Sequence, residues 1–226
     1  MYREFVDGMR KTALGRGVIA LLWPIKRRAQ FFFGWVLGGR RRRLGMRDSE
    51  NYVQGLLDLI AELPMVEGGL TMVEIGSYRG ESAQLFLDSG KISRIFCVDP
   101  WKPFYDKNDE AAFTDMAKVE GEFDARFASE PRVVKAKGTI DDFAAKYAAD
   151  PAVQGRVDFV YVDGCHTREA TAHDIEVALG QVKPRVAIAG HDYLEGVDDG
   201  VKAAVDGRFG QPDKVFVDTS WLKSLR

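Results

Sequence analysis

The segment 71–101 constrains the fold more than any other part of the chain. It contains an apolar strand at Met72–Ile75, a glycine turn, a helical stretch at Glu81–Leu87, and a second apolar strand at Arg94–Val98 that ends in Asp99. In α/β folds with this order of elements, ligands bind at the carboxyl ends of the strands. An acid at the end of the second strand can accept both hydrogen bonds of a ribose diol. The segment therefore indicates an adenosine-containing cofactor.

The alternation of strands and helices continues along the rest of the chain. A first helix is predicted from a cap at Asp48 or Ser49 to Leu63, and residues 102–130 form a polar stretch that we expect to be a substrate-side insertion. The remaining predicted strands are Arg132–Lys135, Val157–Val162, Val186–Ala189, Lys214–Val217 and Trp221–Leu225, and the remaining helices are Ile140–Ala148, Thr167–Gln181 and Val197–Val205. Continuous apolar strands between amphipathic helices indicate a parallel sheet covered on both faces. We predict an α/β fold with a doubly wound, mostly parallel seven-stranded sheet and an antiparallel edge strand.

The charge of the chain is divided unevenly. Residues 1–47 carry 12 Lys/Arg and 2 Asp/Glu, a net charge of +10, whereas the remaining residues carry 20 and 32, a net charge of −12. This division predicts two parts, a basic N-terminal arm over 1–47, which we expect to be helical, and an acidic domain over 48–226. A basic arm on an acidic body indicates a partner for the arm, which is a membrane surface, a nucleic acid, an anionic substrate or the body itself.

The arm contains two apolar patches, Val18–Trp23 and Phe31–Leu37, and it ends with the basic run Arg40–Arg43. Neither patch approaches the roughly 18 residues needed to span a bilayer. The two interpretations left open are an amphipathic element that lies at a membrane interface and a lid or dimer arm that packs on the body. Two cysteines in or beside apolar strands favour a reducing compartment, so the expected location is cytoplasmic, with a peripheral membrane contact through the arm as the alternative.

The glycine spacing narrows the choice of cofactor. The turn reads Glu-x-Gly-x-x-x-Gly, with Glu74, Gly76 and Gly80, and does not have the spacing that cradles a dinucleotide diphosphate. S-adenosylmethionine has no phosphate and carries a cationic sulfur, so it fits better. We expect Glu74 to lie near its ammonium or sulfonium group, Asp99 to bind its ribose, and Trp101 to pack on its adenine. The other residues predicted to line this cofactor are Ser77, Tyr78, Ser82, Thr139, Ile140 and Asp163.

Two further strand ends carry residues suited to chemistry. Asp163 and His166 follow the fourth predicted strand, and His191-Asp192 follows the fifth. Two carboxylates from neighbouring strand ends can hold Mg²⁺, or Mn²⁺, together with two oxygens of a substrate diol. His166 is the candidate general base because the unperturbed pKa of histidine lies near neutrality.

The chain resembles class I S-adenosylmethionine-dependent methyltransferases, and within them the metal-dependent sugar O-methyltransferases that modify macrolides and aminocoumarins. The resemblance implies a Rossmann-like fold, with Asp163 as a metal ligand and His166 as the base in the shared Asp-x-x-His pattern. It also implies two adjacent acids after the fifth strand. Here the pair is His191-Asp192, so Asp192 matches, whereas His191 is a third metal ligand, a substrate contact or an alternative catalytic base.

The predicted function is transfer of a methyl group from S-adenosylmethionine to a hydroxyl of a sugar or other vicinal diol. The expected partners are a small-molecule or glycan acceptor and a second copy of the chain. A nucleic-acid methyltransferase that uses the basic arm is a competing hypothesis, but the body is acidic and lacks an Asn/Asp-Pro-Pro-aromatic motif. A non-catalytic protein that binds the cofactor and docks on a membrane or partner is a second competing hypothesis. A dehydrogenase is a third, which the glycine spacing disfavours.

Overall fold

The computed structural model of the protein describes residues 50–103, 105–106, 114–147, 150, 153–195 and 200–225. The predicted arm over 1–47 and the predicted caps Asp48 and Ser49 lie outside these residues, and the hypotheses about them stay predictions. Among the described residues, no helix combines the length and apolar character required to cross a membrane.

Helices and strands alternate along the described chain. The helices are α1 (Glu50–Glu62), α2 (Glu81–Asp88), α3 (Met116–Phe127), α4 (Ile140–Tyr147), α5 (Arg168–Val177), which continues as a π-helical turn over Ala178–Val182, and α6 (Gly200–Phe209). The strands are β1 (Leu70–Ile75), β2 (Ile92–Asp99), β3 (Val133–Lys137), β4 (Phe159–Val162), β5 (Ala187–Gly190), β6 (Lys214–Val215) and β7 (Trp221–Ser224).

The seven strands form one sheet in the order β3-β2-β1-β4-β5-β7-β6. The first five strands are parallel, and β7 runs antiparallel to both β5 and β6. The strand order reverses between β1 and β4, which is the point where doubly wound sheets bind ligands. The predicted fold class is confirmed.

The sheet buries both of its faces. Along β1, Leu70 and Met72 belong to one apolar cluster, which includes Phe86 of α2, whereas Val73 and Ile75 belong to a second cluster on the other face. This alternation follows from the two-residue period of a strand. Because both faces are covered by apolar residues, the carboxyl ends of the strands are the places where polar side chains can gather.

The stretch 102–130 differs from its prediction as a polar insertion, since it contains α3. Asp115 caps this helix by accepting hydrogen bonds from the backbone N–H groups of Ala117 and Lys118. One face of the helix is buried in the core through Met116, Val119, Phe123 and Phe127. The polar residues between these positions lie on the other face and obscured the helical period in the sequence.

Candidate active site

The turn after β1 depends on its two glycines. Gly76 has a φ of 88°, and a Cβ atom there would lie 2.0 Å from the carbonyl oxygen of Asp163. Gly80 has a φ of 76°, and its Cβ would lie 2.2 Å from the ring of Phe127. Both glycines belong to the predicted cofactor turn, and the structure shows that they leave room for protein atoms. Gly76 thereby brings the predicted cofactor loop against the β4 end that carries Asp163.

Asp99 ties this turn to the end of β2. Its two carboxylate oxygens accept hydrogen bonds from the backbone N–H groups of Tyr78, at 2.8 Å, and Trp101, at 2.6 Å. The side chain is buried, and burial raises the pKa of Asp99 against the lowering effect of these two bonds. Each oxygen keeps a second lone pair for a hydroxyl group, so the carboxylate is held where a ribose diol was predicted.

Glu74 is a buried carboxylate within the same turn region. Its Oε1 accepts a 2.6 Å hydrogen bond from the hydroxyl of Ser82, whereas its Oε2 has no hydrogen-bond partner among the described residues, and neither has Ser77 Oγ. Burial raises the pKa of Glu74 to about 7; the hydrogen bond from Ser82 opposes this change, and the negative charges of Asp163 and Asp99 add to it. A buried polar atom without a partner is costly, and the charge of this carboxylate suits the cationic end of S-adenosylmethionine.

Three other predicted cofactor residues are engaged with protein atoms. Trp101 is 4% exposed, packs on Phe123 with a ring-centroid distance of 4.9 Å, and donates its indole N–H to the carbonyl of Tyr78 at 2.8 Å. Ile140 is buried in the core, whereas Thr139 is partly exposed and its backbone N–H donates to Asp142 at 2.8 Å. This packing accounts for Trp101 and Ile140 without a ligand, so their contacts with adenine stay predictions.

The residues predicted for chemistry lie together. Strands β4 and β5 are neighbours, so Asp163 and Asp192 lie at adjacent strand ends. Nε2 of His166 is 3.6 Å from Oδ1 of Asp163 and 3.0 Å from Oδ2 of Asp192. Asp192 adopts a φ of 58°, an uncommon left-handed conformation for a residue with a Cβ. Such local backbone strain is found disproportionately at functional sites.

Three potential metal ligands lie close together. Asp163, His191 and Asp192 each provide one donor atom, and these three atoms lie within 4.8 Å of one another. Nδ1 of His191 is 3.3 Å from Oδ2 of Asp192, and its Nε2 is 4.0 Å from Oδ2 of Asp218 on the opposite side. Burial lowers the pKa of His191, but its interactions with Asp192 and the nearby acids outweigh burial and raise the pKa to about 9. Two carboxylates and an imidazole form a donor set that can hold a divalent cation.

The structure adds one residue that the sequence did not indicate. Oδ2 of Asp106 lies 2.8 Å from Nδ1 of His166 and accepts a 2.8 Å hydrogen bond from its backbone N–H. Burial alone lowers the pKa of His166, but hydrogen bonds with Asp106 and with the acids at the strand ends raise it well above the ordinary value. The one available signal was that Asp106 follows β2 and hence lies near the carboxyl edge of the sheet. Nothing in the sequence paired it with His166.

His173, the third histidine, lies outside this cluster. It forms an exposed pair with Asp141, with Nε2 2.8 Å from Oδ2. This pair raises the pKa of His173, and burial opposes the change slightly. The site thus brings together His166 and His191 of the three histidines.

A family model described as a methyltransferase domain matches residues 73–193. The chain belongs to this methyltransferase family. The match runs from β1 to the residues just after β5, so it includes both the glycine turn and the cluster of Asp163, His166 and Asp192. The predicted identification as a class I S-adenosylmethionine-dependent methyltransferase is confirmed.

Solved structures similar to this methyltransferase include three enzymes. The calicheamicin methyltransferase CalS11 is 15% identical over 80% of this chain and 95% of its own, with a TM-score of 0.49. A caffeoyl-CoA O-methyltransferase homologue from Staphylococcus aureus is 15% identical over 72% and 81%, with a TM-score of 0.41. Spermidine synthase from Thermotoga maritima is 10% identical over 70% and 53%, with a TM-score of 0.42. At 10–15% identity, these similar structures do not show which acceptor this methyltransferase uses. No curated protein sequence matches the chain significantly.

Proposed function

We propose that this methyltransferase acts on a hydroxyl of a sugar or other vicinal diol, with a divalent metal ion and with His166 as the base. The observation that carries the proposal is the cluster of Asp163, His166 and Asp192, whose side-chain atoms approach within 3.6 Å at adjacent strand ends. The cluster lies next to the glycine turn, since the backbone of Asp163 touches Gly76. A methyl donor in that turn would therefore be adjacent to an acidic site with a base.

The metal would be held by Asp163, His191 and Asp192. Carboxylate oxygens suit Mg²⁺, and an imidazole shifts the preference toward Mn²⁺ and softer ions. A bound metal ion would polarise a hydroxyl group of the acceptor and lower its pKa. Two neighbouring hydroxyls can bind one divalent cation together, which is why the proposal specifies a vicinal diol.

The protein's own residues complete the proposed chemistry. Nε2 of His166 faces the two carboxylates and would accept the hydroxyl proton as the oxygen forms its bond to the methyl carbon. The carbon–sulfur bond breaks, its electron pair stays on sulfur, and S-adenosylhomocysteine leaves. Asp99 and Glu74 would hold the donor so that oxygen, carbon and sulfur lie in line. The proton then passes from His166 to solvent.

The test is transfer of radioactive methyl groups from S-adenosylmethionine to simple glycosides. The probes are methyl α-D-mannopyranoside and methyl α-D-glucopyranoside, with methyl 3-deoxy-α-D-glucopyranoside as a control that keeps three hydroxyls but has no adjacent pair. We expect transfer to a diol, loss of transfer in EDTA and recovery with Mg²⁺ or Mn²⁺. Asp163→Ala should abolish transfer, whereas Asp213→Asn, at the far edge of the sheet, should not. Full activity in EDTA, or in Asp163→Ala, would refute the metal role.

A further inference from the structure

We propose that Asp106 is a positioning residue, which holds the His166 ring with its proton on Nδ1 and its lone pair on Nε2. This inference rests on the proposed role of His166 as the base. It assigns a role to a residue of the segment after β2, which is distant in sequence from Asp163 and Asp192 but meets His166 in space.

The contacts of Asp106 restrain both the ring and the backbone of His166. The same carboxylate oxygen, Oδ2, accepts the backbone N–H at 2.8 Å and lies 2.8 Å from Nδ1 of the ring. Two bonds to one residue fix the position of its main chain and the rotation of its imidazole together. Asp106 is 8% exposed, so water competes little for this oxygen.

Among the described residues, the acids that contact His166 divide into two groups by the ring nitrogen that they face. Asp163 and Asp192 lie 3.6 Å and 3.0 Å from Nε2, and they belong to the donor set that can hold a cation. Asp106 lies at Nδ1 and is not part of that set. A cation held by Asp163 and Asp192 would offset their charges, whereas the carboxylate of Asp106 would keep its charge beside the ring.

A carboxylate at Nδ1 has two consequences for a histidine base. It selects the tautomer, because an anionic oxygen accepts an N–H but cannot donate one, and so Nε2 is left to accept a proton. It also stabilises the imidazolium that forms when Nε2 takes that proton, as a buried aspartate does for the histidine of hydrolase triads. Asp106 would therefore increase the rate of proton removal without touching the acceptor.

The first experiment reads the tautomer directly. The full chain is labelled with ¹⁵N-histidine, bound to S-adenosylhomocysteine and Mg²⁺, and studied by two-bond ¹H–¹⁵N spectra at a pH where the His166 ring is neutral. His166→Gln, His173→Gln and His191→Gln assign the three rings. We expect the proton on Nδ1 in the wild type and a shift toward Nε2 in Asp106→Asn, since an amide can present its own N–H₂ to Nδ1. A neutral wild-type ring with its proton on Nε2, or a tautomer unchanged in Asp106→Asn, overturns the proposal.

The second experiment measures kcat on whichever methyl glycoside of the panel is a substrate. Asp106→Asn should lower kcat by roughly 10²-fold or more, with the Kd for S-adenosylhomocysteine unchanged, and Asp106→Glu should recover part of the loss. Asp213→Asn is the matched control, because Asp213 likewise accepts a backbone N–H, from Ser224, and a side-chain nitrogen, from Lys223. An unchanged kcat in Asp106→Asn refutes the positioning role.

The two experiments separate this inference from the function on which it rests. If no glycoside is methylated but the His166 tautomer still depends on Asp106, the proposed acceptor class is wrong and the positioning of the ring is supported. If glycosides are methylated and Asp106→Asn is as fast as the wild type, the proposed function is supported and the positioning role is wrong.

Discussion

Nε2 of His166 lies 3.0 Å from Oδ2 of Asp192, although the two residues follow different strands. The contact arises because β4 and β5 are parallel neighbours and end at the same edge of the sheet. A histidine placed in this way faces acids with one ring nitrogen and is restrained through the other. Substitutions in and around this site should therefore change the rate of methyl transfer, the binding of the donor and the stability of the fold.

Replacement of the proposed base should affect the rate rather than donor binding. His166→Gln removes the proton acceptor, so we expect kcat to fall by roughly 10²- to 10⁴-fold. The Kd for S-adenosylhomocysteine, measured by calorimetry, should not change. His173→Gln serves as the control, since His173 lies in an exposed pair with Asp141. Comparable losses in both variants would exclude His166 as the base.

Glu74→Gln should have opposite effects on stability and on donor binding. The folded-state pKa of Glu74 is raised from 4.5 to about 7, so the folded protein holds a proton that the unfolded chain releases between these values. Stability therefore falls as pH rises through this interval, by up to about 3 kcal/mol, and remains low above it. At pH 8 the ligand-free Glu74→Gln variant should melt at a higher temperature than the wild type, with a smaller difference at pH 5.

The same change should weaken binding of the cationic donor. Ionised Glu74 favours a positive ligand, so the affinity of the wild type for S-adenosylmethionine should rise as pH increases from 6 toward 7, and that of Glu74→Gln should rise less. Calorimetric titrations over this range measure both slopes. Equal slopes would show that the charge of Glu74 does not contact the donor.

Gly76→Ala tests the close approach of the glycine turn to β4. The added Cβ would lie 2.0 Å from a backbone oxygen that cannot move alone, at a φ of 88°. We expect a loss of roughly 2–4 kcal/mol in the free energy of unfolding. Gly68→Ala is the matched control, because Gly68 has a φ of 81° and nothing within 4 Å of an added Cβ, and should cost only about 1 kcal/mol. Urea denaturation measures the loss in both variants. Equal losses would mean that Gly76 and the backbone of Asp163 are farther apart in solution than in this structure.

His191→Glu should change the metal preference. The imidazole of His191 favours Mn²⁺ over Mg²⁺, and a carboxylate in its place restores two adjacent acids, which favour Mg²⁺. Calorimetric titration with each ion should therefore give a lower ratio of the Mg²⁺ Kd to the Mn²⁺ Kd in the variant. His173→Glu adds the same charge away from the site and should leave the ratio unchanged. An unchanged ratio in His191→Glu would mean that His191 is not a ligand.

The basic arm provides a prediction that depends on sequence alone. If Arg40–Arg43 contact anionic lipid, the full chain should float with phosphatidylserine-containing vesicles and not with phosphatidylcholine vesicles. Replacement of all four arginines with glutamine should weaken this binding by about 1 kcal/mol per residue. Flotation that persists unchanged in the variant would refute the electrostatic contact, whereas a full chain that does not float at all would favour the lid or dimer interpretation.

Much of the site could be predicted because strand ends in a parallel sheet share one edge. Once β1, β2, β4 and β5 were recognised from their apolar runs, the positions of Asp99, Asp163 and Asp192 relative to one another followed. His166 followed too, since it lies three residues after Asp163. These inferences needed only the period of strands and the direction of the chain.

Other features depended on contacts that no periodic pattern encodes. Asp106 reaches His166 from a non-helical segment, and a segment of this kind does not fix which side chain it will contact. The packing of Trp101 is another such feature, since its φ of 43° and the contact of its ring with Phe123 were not indicated by its place after Asp99. The apolar face of α3 on which this ring packs could not be recognised in the sequence, because polar residues lie between its members.

The position of β7 between β5 and β6 has a consequence for the order in which the protein forms. β7 pairs directly with β5, and its first residue, Trp221, is fully buried beside Gly190, the residue before His191. A ribosome releases β5 more than 30 residues before β7. The backbone N–H and C=O groups on one edge of β5 therefore have no β7 strand to pair with while α6 and β6 are still being synthesised. The end of β5 that carries His191 and Asp192 is thus completed late in synthesis, when most of the sheet has already emerged.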